Sequence, residues 1–442
     1  MDSYRIKGGK KLFGEVSVSG AKNMALKAMV AACLTPDEVV IENIPRISDL
    51  FVMEEIIKKL GGKVEIQNHT ARVQVEEFTG SKISLDDASH TRTSSMFLAP
   101  LLTRVGKATI PNPGGCRLGA RPIDRTIEGL AQMGADIHYN SDDGYFHAQV
   151  NAQLHAVRHR FDKNTHTGTE TLLIAAVRSK GKTVLENAAE EPEVDELISL
   201  LNLMGAHIRR PAPRIIEIHG VEKLHGTTFH IQPDRNEIVT FAVAAIITEG
   251  DIVINGAKRE YIKEFLEKID EAGGGFEEQN GGIRFYYKSQ LSKTSITTKP
   301  YPGFMTDWQA PWAVLMTKAK GESIIHETVF ESRFGYVREL KKMGANITLF
   351  NPQVNNPKGF YNFNSEDDSP GFFHGAKVTG PVRLHDAVVE ITDLRAGATL
   401  VIAALAAAGE TVIHGIDMIE RGYEDFDERL RQIGADIAIV KE

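Results

Sequence analysis

Cysteine is nearly absent from this chain of 442 residues, which contains only Cys33 and Cys116. Two distant cysteines without a CxxC spacing exclude a disulfide scaffold and a cysteine-based zinc site, and they indicate a reducing compartment. Basic residues are too few to attract nucleic acid, since 51 Lys and Arg face 59 Asp and Glu and leave a net charge of −8. The opening MDSYRIKGGKK lacks the apolar stretch of a secretion signal, and no apolar run reaches the roughly 18 residues of a membrane span. We therefore expect a cytoplasmic protein without nucleic-acid or membrane partners.

The motifs of common metal and cofactor enzymes are missing as well. The chain contains no GxxxxGK[ST] phosphate loop, no HExxH zinc motif and no GxSxG nucleophile elbow. We therefore expect chemistry without a metal or a cofactor, carried by acid and base side chains that act on an anionic substrate.

A glycine-containing motif that occurs six times indicates a repeated architecture. It consists of an apolar residue, Gly, a small residue, a variable residue and a hydrophobe, and its first glycines are Gly61, Gly134, Gly205, Gly273, Gly344 and Gly434. The intervals of 73, 71, 68, 71 and 90 residues indicate one supersecondary unit copied six times.

Two helices are predicted in every copy. The glycine is expected to end an amphipathic surface helix, because a left-handed residue often follows a helix end and glycine adopts that conformation most easily. A more apolar segment upstream predicts a helix that is buried on all sides. These buried helices are expected to begin near Lys22, Arg92, Gly168, Asn236, Asp307 and Arg395. The predicted unit is strand, buried helix, strand, surface helix, strand, which indicates an α/β fold.

The copies are predicted to form two domains of three units each. The first domain covers 22–231, and the second covers 1–21 plus 232–442, because the opening residues resemble strands that need partners elsewhere. The last interval is about 20 residues longer than the others. We place the surplus at 350–373, whose Asn, Pro, Ser and Gly content predicts an irregular insertion.

Basic residues stand at the starts of three predicted buried helices, namely at Lys22, Arg92 and Arg395. A cation at that end opposes the helix dipole by about 0.3–1 kcal/mol, whereas Asp or Ser is the ordinary capping choice. A single cation at such a helix start is explained if its side chain extends into solvent or pairs with a neighbouring carboxylate. Three at equivalent positions favour the binding of phosphate or carboxylate groups.

A further candidate is the segment 111–122, whose three glycines and three prolines are typical of a lid. Within it, Cys116 is near Arg121, and neighbouring cations favour the thiolate. Cys33 instead is expected to be inert core filler. Asp307 stands where a helix cap would sit, and a cap that faces a cleft can also serve as a general base.

Six motifs along the chain match one known pattern. They are SGAKN at 19–23, PGGCRLGARPID at 113–124, TD at 306–307, ESRF at 331–334, DLRAGATLV at 393–401 and RGYE at 421–424. Together they resemble the UDP-N-acetylglucosamine 1-carboxyvinyltransferase family, essentially from end to end. The resemblance implies a two-domain inverted α/β barrel of the enolpyruvyl transferase type, with six repeated units, three per domain. It also implies transfer of the enolpyruvyl group of phosphoenolpyruvate to the 3′-hydroxyl of UDP-N-acetylglucosamine with release of phosphate, the first committed step of peptidoglycan precursor synthesis. We expect a monomer or a weak homo-oligomer.

The resemblance also implies a role for each matching residue. The phosphate and carboxylate of phosphoenolpyruvate would be held by Lys22, Arg121 and Arg421. The amino sugar and its diphosphate would be held by Asn23, Arg92, Asp307 and Arg333. Asp307 would take the proton of the 3′-hydroxyl, and Cys116 would deliver a proton to C3 or promote product release. Asp393 and Arg395 would line the same cleft, and the segments that contact the nucleotide would contain Pro122, Asp124 and Gly168.

Two segments depart from the family pattern. Arg125-Thr126 replaces the usual Leu-His, and His166-Thr167 falls where a Ser-Val-Gly sequence is more usual. Both belong to nucleotide-contacting segments of the family, so transfer to another nucleotide or nucleotide sugar is one alternative. Transfer to shikimate-3-phosphate is a second, although the Cys116 loop argues against it. A catalytically idle scaffold is a third, which the joint presence of Lys22, Cys116, Asp307, Arg395 and Arg421 disfavours.

Overall fold

Helices and strands alternate along the chain, as the repeat predicts. The computed structural model describes residues 2–114 and 122–441, so Cys116 and Arg121 lie outside the described residues. The α-helices are α1 (Lys22–Ala32), α2 (Ser48–Lys59), α3 (Leu85–His90), α4 (Leu98–Arg104), α5 (Asp124–Gln132), α6 (His166–Ala176), α7 (Pro192–Leu203), α8 (Arg235–Ile247), α9 (Lys263–Ala272), α10 (Gln309–Met316), α11 (Val337–Lys342), α12 (Pro357–Phe360), α13 (Leu394–Ala406), α14 (Asp417–Glu420) and α15 (Phe426–Gln432). The 3-10 helices are Arg92–Phe97, Arg259–Tyr261, Thr306–Trp308 and Ser365–Asp367.

The strands are short, and most contain five residues or fewer. They are β1 (Ser3–Lys7), β2 (Phe13–Ser17), β3 (Val39–Glu42), β4 (Lys63–Gln67), β5 (Thr70–Gln74), β6 (Lys107–Pro111), β7 (Asp136–Asn140), β8 (Tyr145–Gln149), β9 (Arg158–Arg160), β10 (Lys182–Glu186), β11 (His207–Ala212), β12 (Ile215–His219), β13 (Thr228–His230), β14 (Asp251–Asn255), β15 (Gly275–Gln279), β16 (Gly282–Tyr286), β17 (Ile296–Thr297), β18 (Gly321–His326), β19 (Ile347–Phe350), β20 (Gly375–Gly380), β21 (Val388–Glu390), β22 (Glu410–His414) and β23 (Asp436–Val440).

The third copy shows the repeated unit most completely. Its order is β9, α6, β10, α7, β11 and β12, which confirms the predicted order of strand, buried helix, strand, surface helix and strand. The closing strand β12 was not predicted, and it pairs antiparallel with both β10 and β11. In the described residues the strands form six separate sheets, one for each copy, rather than one closed barrel. The prediction of an α/β protein with six repeated units is therefore confirmed.

The opening strands complete sheets that lie far along the chain. β1 pairs antiparallel with both β22 and β23, and β2 pairs parallel with β14. The described residues fall into two compact units: a first unit of 20–114 and 122–232, and a second unit of 2–19 and 233–441. Each unit contains three of the sheets. Assignment of functional domains to 22–231 and to 1–21 plus 232–442 stays a prediction.

Each unit has its own apolar core around its buried helices. In the second unit every residue of α8 is buried, as the apolar composition of this segment predicts. Phe265 there packs edge-on against Trp308 and Trp312, with ring centroids 6.2 and 6.1 Å apart.

None of the described helices is long and apolar enough to span a membrane. The 350–373 segment is mostly irregular, as predicted, and joins β19 to β20.

The six repeat glycines take the left-handed conformation that the sequence predicts. The φ angles are 101°, 95°, 100°, 82°, 88° and 99° at Gly61, Gly134, Gly205, Gly273, Gly344 and Gly434. An L-residue in this region costs about 1–2 kcal/mol because its Cβ approaches the backbone. Glycine at these positions therefore ends each surface helix and turns the chain into the next strand.

Replacement of Gly273 by alanine is expected to lower the free energy of unfolding by about 1–2 kcal/mol. A Cβ built at Gly273 would have its nearest neighbour, Ser289 Oγ, at 3.9 Å, so the cost comes from the backbone and not from a clash. The measurement is thermal unfolding followed by tryptophan fluorescence. Gly371 is the matched control, because a Cβ there meets nothing within 4 Å and its φ lies outside the left-handed range. Its alanine variant should melt at or above the wild-type temperature, and equal destabilisation of both variants would contradict the argument.

Candidate active site

Two guanidinium groups and two carboxylates meet at the amino ends of two buried helices in the second unit. Asp307 lies in the 3-10 helix that leads into α10, and Arg333 lies in the segment before α11. Arg333 Nη2 donates to Asp307 Oδ1 at 2.9 Å, and Arg333 Nη1 lies 3.7 Å from Asp393 Oδ1. Arg395 Nε lies 3.9 Å from Asp307 Oδ2. The sequence thus predicted four residues that the fold brings together.

The cluster is held rigidly by the helix ends. Asp393 is the N-cap of α13, and its Oδ1 accepts hydrogen bonds from the backbone N–H groups of Arg395 and Ala396, both at 3.0 Å. This acidic cap offsets the unfavourable placement of Arg395 at the positive end of the helix. The Arg395 guanidinium also lies 5.3 Å from the centre of the Tyr423 ring. Capping and stacking together fix the direction of the guanidinium.

Asp307 is not a helix cap. The cap position of its 3-10 helix is Met305, and that of α10 is Trp308, neither of which makes a side-chain capping bond. The capping interpretation of Asp307 is therefore wrong. Its side chain keeps 22% of its surface exposed, compared with 3% for Arg333 and 7% for Arg395. Asp307 is thus the most accessible member of these three, as a group that exchanges a proton with a substrate must be.

One donor atom of Arg395 has no acceptor among the described residues. Its Nη1 is buried, and no described residue is hydrogen-bonded to that atom. Burial alone would lower the pKa of Arg395, but Tyr423 and Asp307 raise it, and the net effect is a pKa above the ordinary value of arginine. The guanidinium therefore stays charged. A buried donor without a partner costs about 1–3 kcal/mol. An oxygen of an anionic ligand would satisfy it.

The first unit contains two further predicted cations, Lys22 and Arg92. Lys22 is the first residue of α1, and its Nζ lies 2.8 Å from Oδ2 of Asp49, in the first turn of α2. Both side chains are buried, at 9% and 6% exposure. Asp49 was missed because an acidic residue in a first helical turn is an ordinary choice. Arg92 is the first residue of its 3-10 helix, and its Nη2 donates to the backbone oxygen of Pro122 at 3.3 Å.

Four other predicted residues lie at helix ends. Asn23 follows Lys22 and is half-buried, and Asp124 is the exposed first residue of α5. Gly168 is the third residue of α6, and its N–H donates to Thr165 Oγ1 at 3.1 Å. Arg421 is half-buried and directly follows α14.

The chain belongs to a known class of carboxyvinyltransferases. A family model described as EPSP synthase (3-phosphoshikimate 1-carboxyvinyltransferase) matches residues 6–430. A relative from Acidobacterium capsulatum is 40% identical over 442 residues, with 99% of this chain and 96% of the relative covered. A relative from Trichlorobacter lovleyi is 40% identical, with 100% of both chains covered. Both are named UDP-N-acetylglucosamine 1-carboxyvinyltransferase, and the chain belongs to that family.

Solved structures show the same fold. The enolpyruvyl transferase NikO from Streptomyces tendae superposes with a TM-score of 0.87 at 24% identity, covering 100% of this chain and 99% of that one. EPSP synthase from Acinetobacter baumannii superposes with a TM-score of 0.72 at 16% identity, with both chains fully covered. The prediction of an enolpyruvyl transferase-like fold is therefore confirmed.

Proposed function

We propose that this protein transfers the enolpyruvyl group of phosphoenolpyruvate to the 3′-hydroxyl of UDP-N-acetylglucosamine and releases phosphate. The observation that carries the proposal is the cluster of Asp307, Arg333, Asp393 and Arg395, found in a chain 40% identical over its full length to relatives named for this reaction. The partners are then two anionic small molecules, and we place the reaction in the cytoplasm, in a monomer or a weak homo-oligomer.

In this proposal Asp307 is the general base. It accepts the proton of the 3′-hydroxyl as the sugar oxygen attacks C2 of phosphoenolpyruvate and C3 gains a proton. Cys116 supplies that proton or promotes product release. Phosphate then leaves C2 while C3 loses a proton, which restores the double bond as an enolpyruvyl ether. No metal or cofactor takes part.

The cations hold the anionic groups during both steps. Lys22, Arg121 and Arg421 bind phosphoenolpyruvate, and the unpartnered Nη1 of Arg395 donates to one of its oxygens. Each charge-assisted hydrogen bond contributes about 1.5–3 kcal/mol. Asp307 and Asp393 stabilise the positive charge that develops at C2.

The acceptor is bound by the other predicted residues. Asn23, Arg92 and Arg333 hold the amino sugar and its diphosphate, and Pro122, Asp124 and Gly168 contact the nucleotide. The Arg92 contact with the Pro122 backbone supports this assignment, because it joins two of these residues. The departures from the family pattern at 125–126 and 166–167 lie in segments assigned to the acceptor and not to phosphoenolpyruvate. The identity of the acceptor is therefore tested directly.

Phosphate release is the experiment that tests the proposal. The protein is incubated with phosphoenolpyruvate and, in parallel, with UDP-N-acetylglucosamine, with shikimate-3-phosphate or with no acceptor. We expect phosphate only with UDP-N-acetylglucosamine. Release with shikimate-3-phosphate alone would replace the proposed acceptor, and no release with either would overturn the proposed function.

The epoxide fosfomycin, which resembles phosphoenolpyruvate, is expected to label Cys116 and to leave Cys33 unmodified. Burial raises the pKa of the Cys33 thiol to about 12, and this side chain is fully buried. Cys33 therefore serves as an internal control for labelling of an unactivated thiol. Intact mass spectrometry with UDP-N-acetylglucosamine present should show one adduct, mapped by peptide analysis. The Cys116→Asp variant should show none. Labelling at Cys33, or an unchanged mass of the wild type, would contradict an activated thiolate at Cys116.

A further inference from the structure

A buried carboxylate that the sequence motifs do not include lies close to the Asp307 cluster. Glu327 directly follows β18, and none of its surface is exposed. It begins the bend 327–330, in the segment between β18 and α11 that also contains Arg333. A carboxylate is rarely buried completely unless hydrogen bonds or charges compensate for its lost hydration. The partners of Glu327 therefore show which parts of the chain this side chain stabilises.

The Glu327 carboxylate accepts hydrogen bonds from two separate segments. Its Oε1 accepts from the backbone N–H groups of Val329 and Phe330, at 2.7 and 3.1 Å. Its Oε2 accepts from the hydroxyl of Thr306 at 2.9 Å. Thr306 is itself buried, and it directly precedes Asp307 in the 3-10 helix. One side chain thus joins the bend after β18 to the helix that contains the proposed base.

The bend after β18 also orients Arg333. The guanidinium of Arg333 lies 5.8 Å from the centre of the Phe330 ring, within the range of a cation–π contact. Phe330 is therefore bound to Glu327 through its backbone and to Arg333 through its ring. The same guanidinium donates to Asp307 Oδ1 at 2.9 Å. A displacement of the bend would consequently move Arg333 relative to Asp307.

Backbone hydrogen bonds fix the position of the bend itself. The N–H of Glu327 donates to the backbone oxygen of His374 at 2.8 Å. The N–H of Asn362 donates to the backbone oxygen of Thr328 at 2.7 Å. The irregular 350–373 segment and the residue after it thus support the bend. The side chain of Glu327 connects this fixed bend to the helix of the proposed base.

The surroundings of Glu327 favour a role for its hydrogen bonds over a role for its charge. Burial raises the pKa of Glu327, while Val329, Arg333 and Thr306 lower it, and the net effect is a pKa above the ordinary value of glutamate. An uncharged side chain of the same shape is therefore compatible with this site. A glutamine there keeps an oxygen that accepts from both backbone N–H groups, and its amide N–H can donate to the hydroxyl oxygen of Thr306.

We propose that Glu327 is a positioning residue of the active site, which holds Asp307 and Arg333 in one geometry through its three hydrogen bonds. This inference rests on the proposed function, in which Asp307 accepts a proton from the acceptor and Arg333 holds its amino sugar and diphosphate. Because Glu327 is fully buried, it acts through these two residues and not by contact with a substrate.

Steady-state phosphate release by Glu327→Ala and Glu327→Gln, with each substrate varied in turn, tests the inference. Alanine removes the acceptor of all three hydrogen bonds, and a displacement of about 1 Å can slow a reaction about 10²-fold. We therefore expect kcat of Glu327→Ala to fall by about 10²-fold and its KM for UDP-N-acetylglucosamine to rise. Its KM for phosphoenolpyruvate should stay within a few-fold, because other cations are assigned to that substrate. Glu327→Gln should keep kcat and both KM values within a few-fold of the wild type.

The unequal effect on the two KM values separates positioning from a general loss of the fold. Partial unfolding lowers the amount of active protein, and hence the apparent kcat, but it leaves both KM values unchanged. A fall in kcat of Glu327→Ala without a rise in the acceptor KM would therefore overturn the inference. Wild-type kinetics of Glu327→Ala, or a Glu327→Gln variant as impaired as Glu327→Ala, would overturn it as well.

Two threonines provide a matched pair of milder variants. Thr306→Val keeps the shape of the side chain but removes the hydroxyl that Glu327 accepts, so kcat and the acceptor KM should change in the same directions as in Glu327→Ala. Thr317→Val removes a buried hydroxyl at the other end of α10, where it donates to the backbone oxygen of Val314, and should behave as wild type. Equal kinetics of the two threonine variants would contradict the inference, even if Glu327→Ala does not fold. Absence of phosphate release by the wild type would instead overturn the proposed function.

Discussion

Replacement of Asp307 by asparagine is expected to lower kcat by about 10²–10⁴-fold, the usual contribution of a general base. The amide oxygen of asparagine can still accept the hydrogen bond from Arg333 Nη2, which Asp307 Oδ1 accepts at 2.9 Å. The shape of the site is thus retained, while the group that removes the 3′-hydroxyl proton is lost. The measurement is steady-state phosphate release, together with the Kd for UDP-N-acetylglucosamine.

The controls distinguish lost chemistry from a lost site. The Kd of Asp307→Asn should stay within a few-fold of the wild-type value, because hydrogen bonds to the sugar can be made by an amide. Asp270→Asn, an exposed position on α9, should leave both kcat and Kd unchanged. If Asp307→Asn keeps more than about a tenth of the wild-type kcat, another group accepts the proton and the mechanism proposed for Asp307 is wrong.

Local rules explain why so much of the fold was predictable. The six glycines are required by a backbone conformation that other residues adopt only at a cost, so their positions alone reveal the repeat. The buried helices were equally clear, since α1 begins at Lys22 as predicted and α6 begins two residues before the predicted Gly168. Asp393 also follows a local rule, since it is the N-cap of α13 and its Oδ1 accepts hydrogen bonds from the backbone N–H groups of Arg395 and Ala396.

Long-range pairing explains what was missed. Strand β1 lies between β22 and β23, more than 400 residues away, and no local pattern shows which edges it joins. The closing strand of each copy, such as β12, was also missed, although its pairing with β11 is local. At the site, the partner of Lys22 is Asp49, and this acid does not differ locally from an ordinary helix residue.

Glu237 is a carboxylate near a helix start that the fold uses structurally. It is 1% exposed and lies in the first turn of α8. Its carboxylate accepts two hydrogen bonds from Arg429, at 2.7 and 2.9 Å, and one from the backbone N–H of Ser19 at 2.9 Å. It thereby joins α8, α15 and the end of the opening segment within the second unit.

Replacement of Glu237 by alanine is expected to lower the free energy of unfolding of the second unit by about 3–5 kcal/mol. The loss is large because the guanidinium of Arg429, 12% exposed, and the Ser19 amide would stay buried without their acceptor. Both tryptophans of the chain, Trp308 and Trp312, lie in this unit. Tryptophan fluorescence during urea unfolding therefore follows the unit that contains Glu237.

A double-mutant cycle shows whether the pair or the packing is responsible. Arg429→Met removes the charge that Glu237→Ala leaves uncompensated, so the double variant should be less destabilised than the sum of the single variants. Asp251→Ala provides a partly exposed comparison, because Asp251 and Arg284 are one-third exposed and solvent weakens their ion pair, so its loss is expected to cost less than the loss of Glu237. Additive single effects, or equal losses for Glu237→Ala and Asp251→Ala, would contradict a buried ion pair as the source. The cycle thus decides between desolvated charge and simple contact as the link between the ends of α8 and α15.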